Sequence, residues 1–364
     1  MITSSRKTIL HVIQNFGLGG AETAVVGVLK NLKEFNNIVV TLDGLNQFGD
    51  ELKYDKYYNL NLKSYYLFPL AINKLRKIII ENKVDIVHSQ LYWSTILARF
   101  ATPKHIPLVT SIQSSLTGSI EYKKNWICRL EKYSYHRRPS VIIGVSKYTL
   151  DDYFDFLQLP RFQTHVLYNF VDTSIFHGRK NNSEPKKQDG FRLVTVGNLK
   201  PQKNQQFLLE AFKLLKGKSI SLDIYGDGIL HNSFQQYINE NGINVRLMGK
   251  TRNLPDLIQQ YDLFVMSSHY EGFSLAVLEG MVQELPMLLS AIPTFTEQCK
   301  ETAEYFPLND PAAFVNKVLQ LQADPARLKE MASTGRQRVL QYYTLEHHLT
   351  ELRKIYAATL AANA

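Results

Sequence analysis

Short runs of consecutive apolar residues alternate along the chain with longer segments whose apolar positions fall three and four apart. The runs predict strands buried on both faces of a parallel sheet, and the spaced segments predict amphipathic helices between them. Strands are expected at 9–13, 38–42, 85–88, 107–111, 141–145 and 165–168. The intervening helices are expected at 21–32, 70–81, 92–100 and 121–138, with another ending near Leu157. The tyrosine-rich stretch 54–66 follows neither period and reads as loop with a short strand. Residues 178–190, GRKNNSEPKKQDG, hold no large apolar side chain and read as an exposed linker. The alternation then restarts, with strands at 191–196, 219–224 and 244–247 and helices at 204–215, 231–241 and 253–260. It continues into LFVMSSHYEGFSLAVLEGMVQELPMLLS, residues 263–290: a strand, a loop carrying Glu271, a helix carrying Glu279, and a second strand after Pro286. Helices at 311–321 and 325–341 each have proline near the start. An amphipathic segment at 345–360 completes the pattern.

The predicted organisation is α/β with two doubly wound units: an N-terminal domain at 1–177, a linker at 178–190, and a second domain at 191–341. Residues 342–364 are expected to pack back on the first domain. A length of 364 residues suits two domains of ordinary size. With 45% hydrophobic and 21% charged residues, the composition is that of a soluble globular protein, and a cytoplasmic location is expected. The apolar runs are too short to span a bilayer, and no apolar targeting segment is read at the amino end. Cys128 and Cys299 are single and distant, which fits a reducing compartment and excludes a cysteine-rich metal centre.

The net charge of +9 is uneven: Lys and Arg number 23 against 15 Asp and Glu over residues 1–185, and 19 against 18 over the rest. The basic field therefore belongs to the N-terminal half. No module for nucleic-acid recognition is visible, so none is expected as a partner, and an anionic membrane surface or phosphorylated lipid accounts for the asymmetry more simply. The predicted helix at 121–138 adds six Lys or Arg around Trp126, Ile127, Leu130 and Tyr133 or Tyr135. That stripe suits either insertion at an anionic interface or burial against the sheet.

Candidate chemistry concentrates at predicted strand ends. Glu271 and Glu279 are eight residues apart, about 12 Å along a helix, enough to span a nucleoside or a sugar with its phosphate. Lys203, in the loop GNLKPQKN, and the glycine turn at 226–228 could meet a diphosphate, for which lysine supplies charge and glycine a close backbone approach. In the first domain, Gly19 and Gly20 close a glycine turn before a helix, which reads equally as a ligand loop or a structural turn. The loop IQSSLTGS offers hydroxyls to a sugar or to solvent. His88 ends a strand and could be a site or a core residue, whereas His347 and His348 read as a surface pair.

Taken together, GGAE at 19–22, DIVH at 85–88, IGVS at 143–146, YNFVDTSIF at 168–176, VGNLKPQKN at 196–204, IYGDG at 224–228, LMGK at 247–250 and EGFSLAVLEGM at 271–281 resemble the retaining nucleotide-sugar glycosyltransferases of family 4. The last carries the paired glutamates that mark that family. The resemblance implies a GT-B fold, two Rossmann-like domains facing each other across a cleft, and a hexosyltransferase that needs no metal or other cofactor. It implies transfer from a UDP- or GDP-linked sugar to a glycan or lipid-linked acceptor in envelope polysaccharide or lipopolysaccharide synthesis, at the inner face of the cell membrane. A nucleotide-sugar-binding protein without catalysis, or a degenerate member, is the alternative.

Residue by residue, the resemblance assigns Glu279 to the donor ribose, and Glu271 with Gly272, Phe273 and Ser274 to the donor sugar and phosphate region. Lys203 would neutralise the departing diphosphate beside Gly197 and Gly226. Gly19 and Gly20 would approach that diphosphate from the first domain. Transfer would retain anomeric configuration through an oxocarbenium-like state, the departing phosphate helping to take the acceptor proton. Asn198 stands where many members carry arginine, and Ser111 and Gln113 stand where a histidine is common. The loop SAIPTFTEQ lacks the usual paired glycines. Its backbone at 294–296 is expected to donate toward phosphate, with Thr294 and Glu297 among the donor contacts.

Overall fold

The computed structural model describes residues 6–119, 121–177, 190–251 and 253–363. The expected linker lies outside the described residues except for Gly190. The chain divides into two compact units, one of residues 1–169 with 345–364, the other of residues 170–344.

In the N-terminal unit the order is β1 (Thr8–Ile13), α1 (Gly20–Asn31), β2 (Asn36–Thr41), β3 (Lys56–Asn59), α2 (Phe68–Glu81), β4 (Ile86–Gln90), α3 (Tyr92–Ala101), β5 (Leu108–Ile112), α4 (Asn125–Arg137), β6 (Val141–Gly144), α5 (Lys147–Leu157) and β7 (Thr164–Val166). Among the described residues these strands form a seven-stranded sheet in the order β3-β2-β1-β4-β5-β6-β7, each neighbour parallel. β1 and β4 are buried along their whole length, as runs without polar alternation require. Order reverses beside β1, so the carboxyl ends of β1, β4 and β5 open onto the crevice where such sheets bind ligands. Ser146 starts α5 by accepting from Thr149 N at 3.0 Å.

The C-terminal unit follows as β8 (Phe191–Val196), α6 (Gln205–Leu214), β9 (Ile220–Tyr225), α7 (His231–Asn241), β10 (Val245–Gly249), α8 (Leu254–Leu257), β11 (Leu263–Met266), α9 (Leu275–Val282), β12 (Met287–Ser290), α10 (Pro293–Cys299), β13 (Glu304–Phe306), α11 (Pro311–Gln322) and α12 (Pro325–Tyr342). Its six-stranded parallel sheet runs β10-β9-β8-β11-β12-β13, with the reversal beside β8. In its core Phe207 stacks on Phe306, and Phe314 meets both rings edge-on. Asp310 and Asp324 cap α11 and α12 at 2.9 Å each, and proline occupies the first turn of both helices. The two Rossmann-like units are those of the GT-B fold.

The last helix, α13 (Leu345–Ala361), belongs to the N-terminal unit. Tyr356 is fully buried there, and His88 Nδ1 lies 2.6 Å from its hydroxyl. One sequence expectation is corrected in that unit. His348 is buried, with Nδ1 2.7 Å from Tyr168 O, because its face of α13 turns into the unit. Of the anchors expected on α4, Ile127 and Tyr135 are buried, while Trp126 is 52% and Tyr133 60% exposed.

Candidate functional site

The C-terminal unit gathers most of the expected residues at the adjacent carboxyl ends of β8 and β11. After Val196 the chain turns through Gly197 and the exposed Asn198 into a short 3-10 turn at Pro201–Lys203, and Asn204 takes a left-handed φ of 50°. Lys203 Nζ donates to Glu271 Oε1 at 2.6 Å, and Ser268 Oγ donates to the same oxygen at 2.6 Å. The two loops are tied directly: His269 N donates to Gln202 O at 2.9 Å, Gln202 Nε2 to Tyr270 O at 2.9 Å, and Ser267 Oγ to Asn204 O at 2.8 Å. Lys203 and Glu271 are thus held in register by the backbone rather than by their mutual attraction alone. Among the described residues, one carboxylate oxygen of Glu271 and two ammonium protons of Lys203 are left for a ligand.

Glycine is required at the edge of this cluster. Gly226 has φ of +141°, and a Cβ there would lie 2.1 Å from Gly197 O. A Cβ on Gly197 would itself touch Lys203 Cε at 3.4 Å. Gln205 Nε2 donates to Asn198 O at 3.2 Å and fixes the turn.

Glu279 sits in the second turn of α9, half-buried among Val277, Leu278, Gly280 and Met281. Its carboxylate has no partner among the described residues, and burial pushes its pKa up to about 7. Gly272, Phe273 and Ser274 form the buried approach to that helix, the Phe273 ring lying 5.0 Å from that of Tyr343. Gln298 clamps Ser274 on both sides: its Oε1 accepts from Ser274 N at 3.1 Å and its Nε2 donates to Ser274 O at 2.8 Å. The stretch read as an open backbone loop at 294–296 is instead helix α10. Phe295 N and Thr296 N both bond to Ile292 O at 3.1 Å, so two of the three expected backbone donors are engaged. The Thr294 hydroxyl is buried without a hydrogen-bond partner among the described residues, and Glu297 is half-buried on the same helix.

The remaining candidates lie in the N-terminal unit. Gly19 precedes α1 and Gly20 opens it. His88 Nε2 lies 2.8 Å from Ser111 Oγ and 3.1 Å from Gln90 Nε2, which makes Nε2 the acceptor and Nδ1 the protonated nitrogen facing Tyr356. Gln113 Nε2 donates to Gln90 Oε1 at 2.7 Å, so a directed chain runs from Gln113 through Gln90 to His88. Desolvation drives the His88 pKa well below its ordinary value, and those of His11 and His348 down to about 4. The three rings border a cavity of about 30 Å³, room for a single water.

Sequence reasoning missed Ser268, Gln202, Gln205 and Gln298. Ser268 had a signal, a hydroxyl pair ending a buried strand. The three glutamines act through contacts with distant backbone, and no local pattern marks them.

Residues 18–175 match the model of Glycosyltransferase Family 4, and residues 178–338 match that of Glycosyl transferases group 1. The chain belongs to this glycosyltransferase family. The transferase is 25% identical over 315 residues to the UDP-Gal:alpha-D-GlcNAc-diphosphoundecaprenol alpha-1,3-galactosyltransferase of Escherichia coli, covering 79% of this chain and 78% of that one. To the putative glycosyltransferase EpsD of Bacillus subtilis it is 27% identical, covering 78% and 79%. In fold it is similar to Anabaena HepE, solved in complex with UDP, at a TM-score of 0.83 and 17% identity over 96% of this chain and all of that one. The transferase therefore moves a sugar from a nucleotide-sugar donor to a glycan or lipid acceptor. Among the described residues no group of three or more His, Cys, Asp or Glu is placed to hold a metal, and no helix is long and apolar enough to cross a membrane.

Proposed function

We propose that the transferase takes its sugar from a UDP-linked donor held by the C-terminal unit and passes it, with retention and without a metal, to a lipid-linked glycan of envelope polysaccharide synthesis. The observation that carries this reading is the Lys203–Glu271 pair, 16% and 9% exposed in their side chains and locked at a strand-end crevice. A diphosphate entering there exchanges the carboxylate for phosphate as the partner of Lys203. Glu271 is then released to accept hydrogen bonds from the donor sugar, and Glu279 accepts them from the ribose. As the sugar–oxygen bond breaks, charge grows on the leaving phosphate, so the lysine stabilises the transition state more than the ground state. Gly197, Gly226, Gly272, Phe273, Ser274, Thr294 and Glu297 shape the donor pocket around these three. Asn198 contributes a neutral donor at its mouth. Gly19, Gly20, His88, Ser111 and Gln113 belong to the N-terminal unit, which carries the acceptor. The names of the galactosyltransferase and of the HepE–UDP complex support the choice of uridine nucleotide and of a lipid-linked acceptor.

The test is UDP release from UDP-glucose, UDP-galactose and UDP-N-acetylglucosamine, with EDTA present and with undecaprenyl-diphosphate-linked sugars as acceptors. One donor is expected to support turnover, and Lys203→Ala is expected to lower kcat about 100-fold or more. The same assay is run with GDP-mannose, reading GDP release; turnover with that donor alone, or a Lys203→Ala enzyme of normal kcat, would overturn the assignment.

A further inference from the structure

A second pocket lies wholly within the N-terminal unit, at the carboxyl ends of β4 and β5 and against α3 and α4. Its volume is about 400 Å³, within the range of small-molecule sites. Its lining combines hydroxyls and amides, Gln14 and Gln113 among them, with the aromatic rings of Tyr92, Trp93 and Tyr122. One wall is Glu131, a carboxylate only 1% exposed. Its Oε1 is fully used, accepting from Arg99 Nη1 at 2.7 Å and from Tyr153 Oη at 2.7 Å. Among the described residues its Oε2 has no hydrogen-bond partner, and neither has the neighbouring Arg99 Nε. A carboxyl oxygen buried without a donor is costly, and beside a pocket it is satisfied by a donor that a ligand brings.

We propose that this pocket is the subsite for a pyranose ring of the acceptor, with Glu131 Oε2 accepting from a ring hydroxyl, Gln14 and Gln113 contacting further hydroxyls, and the Tyr92, Trp93 and Tyr122 side chains packing on the apolar face of the sugar. A sugar ring matches what the pocket offers, because it alone combines hydroxyl donors at its rim with C–H faces that pack on aromatics. A phosphate is disfavoured, because Glu131 would repel it. An alkyl chain would leave Oε2 unsatisfied. The Arg99 contact at 2.7 Å holds the carboxylate in place, while Gln113 is oriented by its bond to Gln90, which leaves its carbonyl oxygen as the acceptor end of that chain. Exposed Trp126 lies 5.9 Å from Trp93, so the mouth borders the aromatic surface on which the lipid of a lipid-linked sugar would rest.

This subsite rests on the reading of the chain as a sugar transferase, and the experiment separates the two. Trp93 and Trp126 are the only tryptophans, so intrinsic fluorescence reports on this pocket without requiring turnover. The full chain is titrated with octyl glucoside, octyl galactoside and octyl N-acetylglucosaminide, and with octanol as the sugar-free control, while UDP affinity is measured in parallel by calorimetry. At least one glycoside is expected to give a saturable change that octanol does not. Gln14→Ala, which leaves the buried ion pair intact, is expected to weaken binding about threefold to tenfold, and Glu131→Gln by tenfold or more. UDP affinity should stay unchanged in both. An equal response to octanol would assign the pocket to the lipid tail and overturn the proposal. So would glycoside binding unaffected by Gln14→Ala, whether or not Glu131→Gln folds. Glycoside binding that behaves as expected while no nucleotide sugar is turned over would sink the transferase reading and leave the subsite standing.

Discussion

The Glu279 carboxyl, raised to about 7 by burial, titrates near neutrality. In its ionised form it accepts hydrogen bonds from two ribose hydroxyls, and protonation removes much of that capacity. From pH 8 to pH 6 its ionised fraction falls from about 90% to about 10%. Calorimetric UDP affinity is therefore expected to drop several-fold over that interval, and Glu279→Gln should bind weakly and without this pH dependence. A wild-type affinity that is flat from pH 8 to pH 6 would remove Glu279 from the donor site. The effect on folding has the opposite sign. Between about pH 4.5 and 7 the unfolded chain has lost this proton and the folded chain has kept it, so this group lowers stability as pH rises through that window. The sequence exposed Glu279 as a candidate because LAVLEGM sets one charge among apolar neighbours. Its lack of a protein partner required coordinates, as did the Lys203–Glu271 contact, which joins positions 68 residues apart.

At the scale of elements, the sequence was most legible where hydrophobic period and capping agreed. The central strands β1, β4 and β5 and the proline-started helices α11 and α12 are found within a residue or two of where the pattern puts them. It was least legible at short elements. β3 is a partly exposed edge strand of four residues, while α10 and β13 have seven and three, too few for either period to repeat. Burial inside elements was also hidden: nothing local distinguishes His347, exposed, from His348, enclosed. The enclosure of His11, His88 and His348 has a measurable consequence. All three have folded pKa values below the ordinary one, so the unfolded state takes up protons first as pH falls below about 6.5. Their stabilisation is complete above that pH and is lost on acidification, for His11 and His348 toward pH 4 at roughly 1 kcal/mol per pH unit each. Urea unfolding followed by tryptophan fluorescence, which reports the N-terminal unit, is expected to show a falling midpoint from pH 6.5 to 4.5. His88→Gln should make that dependence shallower, and an unchanged slope would place the titration elsewhere.

For the whole molecule, the basic excess and the exposed aromatics coincide in the N-terminal half. Trp126 and Tyr133 project from α4, and Tyr66, 95% exposed, and Leu70, 67% exposed, from the region of α2. Cationic side chains would draw such a surface to anionic lipid, with the rings entering the interface. Sedimentation with vesicles containing phosphatidylglycerol is expected at 50 mM salt and should fall sharply at 500 mM, where exposed charges are screened. The double variant Trp126→Ala, Tyr133→Ala should bind about tenfold less tightly. Equal binding to neutral phosphatidylcholine vesicles would exclude the electrostatic mode.

The return of α13 to the first unit also dictates an order of events during synthesis. The N-terminal sheet is translated first, yet the tyrosine that covers His88 comes 268 residues later in the chain. Until then His88, His348's backbone partner Tyr168 and the apolar face of α1 lack their cover. The second unit, continuous from 170 to 344, has all its own strands and helices before α13 is made. On the ribosome, the second unit can therefore complete its own packing before the first unit receives α13, although the apolar clusters of the N-terminal sheet are built from residues 10–166 alone.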